Sequence, residues 1–187
     1  MKKIITLAFA ALITLTGNAQ LKVDSLGCTR IGGSIPSTYY STIQNYDSAI
    51  DDLSTLLEID PGNVIALWQR AVCQARQNEF SASQGTNVDL KNANVLSDLT
   101  QAINLAPQNA YLYYNRGNLH MTRGDNRRAE DDFTRAIETD PNLAEAYYNR
   151  GLLYIRSERK AEGIADLSKA GELGLYSAYS VIKKYTR

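Results

Sequence analysis

Tyr113-Tyr114-Asn115-Arg116-Gly117 returns unchanged as Tyr147-Tyr148-Asn149-Arg150-Gly151 further along the chain. A catalytic motif needs no copy at a fixed distance, whereas a stacked array of helical units needs the same packing residues in every unit. The copying extends beyond these five positions. At the same interval Asp132 aligns with Asp166, Ala136 with Ala170 and Glu138 with Glu172, while Phe133 faces Leu167, Thr134 faces Ser168 and Arg135 faces Lys169. Size and polarity persist where identity does not.

Within each unit the spacing predicts two helices. Tyr113, Arg116, Gly117 and His120 fall at i, i+3, i+4 and i+7 on one face, and Ala129, Phe133, Ala136 and Ile137 do the same on a second. Between them Arg123-Gly124-Asp125-Asn126 makes a compact turn, with Gly to close the first helix and Asp or Asn to cap the second. Pro141, after Asp140, ends the unit because proline cannot take an interior helical position.

These residues resemble the tetratricopeptide repeat, a helix-turn-helix unit of about 34 residues. The resemblance implies that Tyr113, Gly117, Ala129, Phe133, Ala136 and Pro141 are packing residues in the unit from Ala110, and Tyr147, Gly151, Tyr154, Leu167 and Ala170 in the unit from Ala144. Gly117 and Ala129 would let two backbones approach closely, while Tyr113 and Phe133 fill the remaining space. His120 stands at an aromatic place of the repeat, which implies a core role for it. The fold implied is all-α: a right-handed α-solenoid of antiparallel helix pairs, about 3.5–4 units plus a C-terminal closing helix. A weaker echo at Ala66-Leu67-Trp68-Gln69-Arg70-Ala71 marks the preceding unit. The interval from Pro61 to Pro107 exceeds that from Tyr113 to Tyr147 by twelve positions, which predicts an inserted loop near 79–90. The units expected are about 37–63, 64–109, 110–143 and 144–177, with a closing helix over 178–187. The first unit, after an irregular segment at 20–36, should have a short helix from Ser37 to Ile43 and a second from Tyr46 to Ile59.

Met1-Lys2-Lys3, an apolar run from Ile4 to Leu15 and small residues up to Ala19 predict a secretory signal peptide over 1–19, cut after Ala19. The run is too short for a bilayer span, which takes about 20 residues, so no integral membrane span is expected after cleavage. A periplasmic or secreted protein is the expectation. Ser25-Leu26-Gly27-Cys28 loosely resembles a lipoprotein acylation box, but Lys22 and Asp24 separate it from the apolar run. The 20 basic and 20 acidic residues balance, which argues against nucleic acid as a partner. The two cysteines, Cys28 and Cys73, permit one disulfide; Cys73 falls in an apolar helical pattern, where a buried thiol is the simpler reading.

Enzyme signatures are poor. The single histidine, His120, excludes a His-rich metal site, and neither a phosphate-cradling G-x-x-x-x-G-K loop nor a G-x-S-x-G elbow occurs. No catalytic residue, cofactor or metal is expected. Asp51-Asp52, Asp131-Asp132 and Asp166 recur near the start of second helices, where acidic groups face the positive helix end; the expectation is a solvated acidic face.

What remains is the inner wall. The resemblance implies that first helices line a concave groove for a protein or peptide partner. The lining would be Ile65, Trp68, Gln69 and Arg76, then Tyr111, Tyr114, Asn115, Asn118 and Met121, then Glu145, Tyr148, Asn149, Leu152 and Arg156. Trp, Tyr, Met and Arg are types enriched at interfaces. Some relatives clamp a peptide carboxylate, and Asn118, Asn149 and Lys183 fall at such places, but Tyr114 and Tyr179 stand where lysines belong. The reading is a non-catalytic interaction scaffold. The alternative is a structural accessory subunit of an envelope or secretion complex that uses its outer face or ends.

Overall fold

Punctuation in the sequence sets the helix boundaries. The structure, a computed structural model, describes residues 22–23, 29–30, 43–83, 85 and 89–186. Among them are eight helices: α1 Ile43–Ile59, α2 Val64–Ser83, α3 Asp89–Leu105, α4 Ala110–Thr122, α5 Asn126–Thr139, α6 Ala144–Arg156, α7 Lys160–Glu172 and α8 Ser177–Tyr185. They pack chiefly against their neighbours in sequence, forming an α-solenoid that runs from Ile43 to Tyr185. A separate unit over 1–42 contributes a two-residue antiparallel ladder, β1 Lys22–Val23 with β2 Thr29–Arg30. The expected signal peptide, Cys28 and the short helix from Ser37 lie outside the described residues, apart from its last residue, Ile43, which begins α1.

Three hairpin turns close in the same way. At each, a residue with positive φ lets two N–H groups turn back onto the end of the preceding helix. Gly124, at φ 78°, donates to Met121 O while Asp125 donates to His120 O. Gly174, at φ 102°, and Leu175 repeat the pattern on Gly171 O and Ala170 O. The middle turn puts Glu158 in that place at φ 63°, with Glu158 and Arg159 donating to Ile155 O and Tyr154 O. Asp125 precedes α5 but makes no side-chain capping bond, contrary to expectation. The side chains that cap stand before first helices: Asn63 Oδ1 accepts from Ala66 N at 3.0 Å and Asn109 Oδ1 from Tyr111 N at 3.1 Å.

The inserted residues are mostly helical, so the loop is narrower than the sequence suggests. α2 has 20 residues against 13 in α4, and α3 has 17 against 14 in α5. Residues 79–83 therefore belong to α2, and only two of the twelve extra positions lengthen the connection. Polar ties explain the extension: Gln77 donates to Asp47 on α1, and Asn78 Nδ2 donates to Asn92 Oδ1 on α3 at 2.9 Å. The lengthened helix thus has hydrogen-bonded neighbours on either side.

Small residues bring helices together where the repeat pattern requires. A Cβ on Gly117 would lie 2.8 Å from Phe133 Cε1, and one on Gly151 would lie 2.9 Å from the backbone oxygen of Gly163. Phe133, Ala129, Ala136, Leu167 and Ala170 are fully buried, and Tyr154 is nearly so. Tyr113 and Tyr147 are half-buried against these clusters, and Pro141 sits exposed in its turn. Tyr114 fills more of the core than Tyr113: it is 1% exposed and its ring centroid lies 6.2 Å from that of Phe133.

A ladder of ion pairs runs through the array. Arg70 grips Asp98 through Nε and Nη2, both at 2.7 Å; Arg116 grips Asp132 at 2.9 and 2.7 Å; Arg150 grips Asp166 at 2.7 and 2.9 Å. The remaining Nη1 of each reaches the second helix of the preceding pair, donating to Ser54, Thr100 and Thr134 at 3.2, 3.3 and 3.0 Å. Each guanidinium therefore pins three helices, and its planar fork suits the bidentate carboxylate. This corrects the expectation of a solvated acidic face. Asp98, Asp132 and Asp166 are buried in the ladder, whereas Asp51, Asp52 and Asp131 are exposed. Where the next arginine would fall, one repeat beyond Arg150, the chain has exposed Lys184, and Ser168 Oγ donates to its own helix at Ile164 O.

Candidate binding face

α2, α4 and α6 are the first helices of three successive pairs, so equivalent positions on them share one wall. The repeat places Tyr114 beside Tyr148 and Asn115 beside Asn149 on that wall. The structure joins part of the expected lining directly. Asn149 Nδ2 donates to Asn118 Oδ1 at 2.7 Å and approaches Tyr114 Oη at 3.4 Å, which couples α4 to α6. Between α2 and α4, Trp68 stacks on Tyr111 with ring centroids 6.4 Å apart and planes 25° from parallel. Burial, with Glu145 and Asp140 nearby, pushes the Tyr111 phenol above its ordinary value, which keeps it a hydrogen-bond donor.

Three expected lining residues are too buried to offer a partner their faces. Tyr114 belongs to the core shared by α4, α5 and α6, Trp68 to the core shared by the first four helices, and Asn115 turns its Nδ2 back to Tyr111 O at 2.7 Å. The cause is helix geometry: on a short helix packed from both sides, the strip free of neighbours is narrower than the set of positions the pattern selects. Gln69, Arg76, Tyr111, Asn118, Met121, Glu145, Tyr148, Asn149 and Leu152 are half-buried; Ile65, Arg156 and Lys183 are exposed. Lys183 lies on α8, one pair beyond Asn149.

The amide arrangement defines what the wall can bond. Asn149 directs its N–H groups into the array, so its Oδ1 remains as an acceptor while Asn118 keeps its Nδ2 as a donor. One donor and one acceptor side by side match a peptide unit better than they match a carboxylate, which needs donors only. Trp68 Nε1, without a hydrogen-bond partner among the described residues, is buried and lies out of a partner's reach. Sequence reasoning missed the Arg–Asp ladder that holds these helices in register, although its signal was present: Arg116 and Asp132 recur together as Arg150 and Asp166, at the same offset each time.

Comparison with known proteins agrees with this architecture. Residues 110–143 and 133–165 match models of the tetratricopeptide repeat. No curated protein sequence matches the chain. Among solved structures, a crystal structure of MamA superposes with a TM-score of 0.60 at 23% identity, over 81% of this chain and 82% of that one. The first tetratricopeptide repeat domain of Spaghetti (RPAP3), bound to an HSP90 peptide, gives 0.51 at 21% identity, over 64% of this chain and 94% of that one. A monomeric mutant of IFIT1 with Gppp-AAAA gives 0.68 at 16% identity, over 75% of this chain and 35% of that one. At such identities the likeness concerns the fold. Among the described residues no helix is long and apolar enough to cross a membrane.

Proposed function

This chain is a tetratricopeptide-repeat protein, and we propose that it is a non-catalytic scaffold that holds an extended segment of a protein partner along the wall of α2, α4 and α6. The observation that carries this reading is the Tyr114–Asn149–Asn118 connection. It fixes one amide acceptor and one amide donor side by side, on a wall that also carries the half-buried rings of Tyr111 and Tyr148. An extended chain brings alternating C=O and N–H groups to such a pair, and the rings add apolar contact at small entropic cost. The structural neighbour bound to an HSP90 peptide supports the same use of the fold. Export to the periplasm or beyond rests on the leader-like sequence at 1–19.

Because Trp68 and Tyr114 are core residues, their removal would test folding instead of binding. Tyr148→Ala and Leu152→Asp alter half-buried wall residues; because Tyr148 also packs on the Leu167–Ala170–Ala178 cluster, unchanged helical content is required of that variant first. Peptides selected by display on the intact chain should lose at least about tenfold in affinity with either variant, the cost of truncating one anchoring side chain. Arg135→Glu, on α5 away from the wall, should leave them unchanged. Selected peptides that ignore both wall variants, or a screen that yields none, would refute the groove.

A second reading, an accessory subunit that docks by its end, is favoured by one observation. Tyr176 and Tyr179 at α8 are 75% and 48% exposed. Tyr176→Ser with Tyr179→Ser should abolish assembly in that case, with display-selected peptides unaffected.

A further inference from the structure

Turning from the wall to the opposite side of α4, a crevice lies over His120 between α3 and α5, and its counterpart one repeat later is filled. There, Arg159 lays its guanidinium 4.0 Å from the centroid of the Tyr154 ring. Nη1 donates to Glu130 on α5 at 2.8 and 2.9 Å, while Nε and Nη2 donate to Glu162 on α7 at 2.7 Å each. A planar cation on an aromatic face, edged by two carboxylates, closes the gap between α5 and α7.

The four equivalent places one repeat earlier hold Asp125, His120, Leu96 and Arg128. Arg116 ties α3 to α5 from below, through Thr100 and Asp132, but the residue in the place of Arg159 is the shorter, acidic Asp125. A crevice of about 390 Å³ opens instead, bounded by Leu96, His120, Arg128 and Asp131, with the Arg116–Asp132 pair at its base. His120 is 7% exposed, and its Nδ1 has no hydrogen-bond partner among the described residues. Asp125 Oδ2 is 3.6 Å from Nδ1 and Asp132 Oδ2 is 3.9 Å from Nε2, both beyond hydrogen-bonding distance.

Charge selects the occupant. Of the lining residues, Arg116 and Asp132 cancel each other and so do Arg128 and Asp131; Asp125, on the α4–α5 turn 3.6 Å from Nδ1, is the further carboxylate. An anion placed at the imidazole would add to the carboxylates that already face both ring nitrogens. A cation laid on the ring would instead meet carboxylates at its edge, as Arg159 does. We propose that this crevice is a docking slot for one arginine side chain of a partner protein, seated over His120 with its edge toward Asp125 and Asp131. It is separate from the wall of α2, α4 and α6 and does not depend on it. Arg128, exposed at the rim where the filled crevice has Glu162, holds the affinity down.

His120 is the only histidine of the chain, so its imidazole resonances report on the slot without assignment. Nα-acetyl-arginine amide is titrated into the full chain at about pH 7.5, where an imidazole is neutral, with Nα-acetyl-lysine amide and sodium acetate compared at matched ionic strength. The expected result is a saturable shift of the His120 signals with the arginine probe, a weaker one with lysine and none with acetate. Arg128→Glu should tighten the arginine probe roughly fivefold and Asp131→Asn should weaken it, the scale of one exposed ion pair; both positions are exposed, so neither change disturbs the core. No saturable shift with the arginine probe, an equal or larger one with acetate, or no tightening in Arg128→Glu overturns the proposal.

Discussion

Arg116 holds Asp132 through two hydrogen bonds of 2.9 and 2.7 Å, and its third nitrogen crosses to Thr100 on the preceding pair of helices. The same triangle recurs at Arg70 and Arg150, so the array is stitched once per unit. Truncating one member of a buried pair strands the other charge, so Asp132→Ala should cost about 3 kcal/mol in urea denaturation. Adding Arg116→Ala should recover part of that loss. The exposed pair Arg135–Glu138, at 3.1 Å, should be worth under about 0.5 kcal/mol by the same double-mutant measurement.

Close approach at the α6–α7 crossing gives a prediction of opposite sign to helix propensity. A Cβ on Gly163 would lie 2.6 Å from Ile155 Cγ1 and 2.7 Å from the backbone oxygen of Gly151. Alanine favours a helix by about 1 kcal/mol over glycine, yet overpacking at a backbone contact costs about 1–3 kcal/mol. Gly163→Ala should therefore lower the thermal midpoint. Gly62→Ala, whose Cβ meets nothing nearer than 3.7 Å, should not.

Glu158 is the non-glycine residue with positive φ among the described residues, and its two counterparts in the array are glycines. A left-handed conformation costs an L-residue about 1–2 kcal/mol, part of which is offset by the backbone freedom that glycine loses on folding. Glu158→Gly should stabilise the protein by about 0.5 kcal/mol, read as a raised denaturation midpoint. An unchanged or lowered midpoint would show that the turn carries no strain.

Burial holds the His120 imidazole below its ordinary value of 6.5, and the Arg116 guanidinium pushes the same way. The carboxylates of Asp132 and Asp125 oppose this without prevailing. The folded chain thus refuses a proton that the unfolded chain accepts. Its stability is complete above pH 6.5, falls as pH drops through that value, and levels off below the folded pKa. Denaturation at about pH 7.5 and about pH 5.5, a range in which histidine is the side chain that titrates, should show a loss that His120→Tyr abolishes. An identical loss in the variant would contradict it.

How far the sequence can be read depends on what each residue reports. The second copy of YYNRG is enough for the helix pairs, because Gly117 and Gly151 recur where backbones touch and Pro141 stops a helix wherever it stands. It is not enough to separate Tyr113 from Tyr114. Adjacent residues on a helix point about 100° apart, and which tyrosine enters the core depends on where α5 lies. The extension of α2 to Ser83 is hidden for a related reason: Glu79, Ser81 and Ser83 are polar, and their helical state is carried by Gln77 and Asn78 bonding to α1 and α3. Asp132 eludes a local reading because an acidic residue near a helix start already has a nearby explanation, the helix dipole, while its actual partner Arg116 lies on the preceding helix.

The most direct test of the central claim, that the wall of α2, α4 and α6 is the working surface, is site-specific photo-crosslinking in the native cell. A benzophenone side chain is placed at Leu152 on the wall and, separately, at Arg135 on α5. The account predicts a discrete adduct from position 152 that a display-selected peptide competes away, and none from position 135. A competed adduct from position 135 with none from position 152 would contradict it.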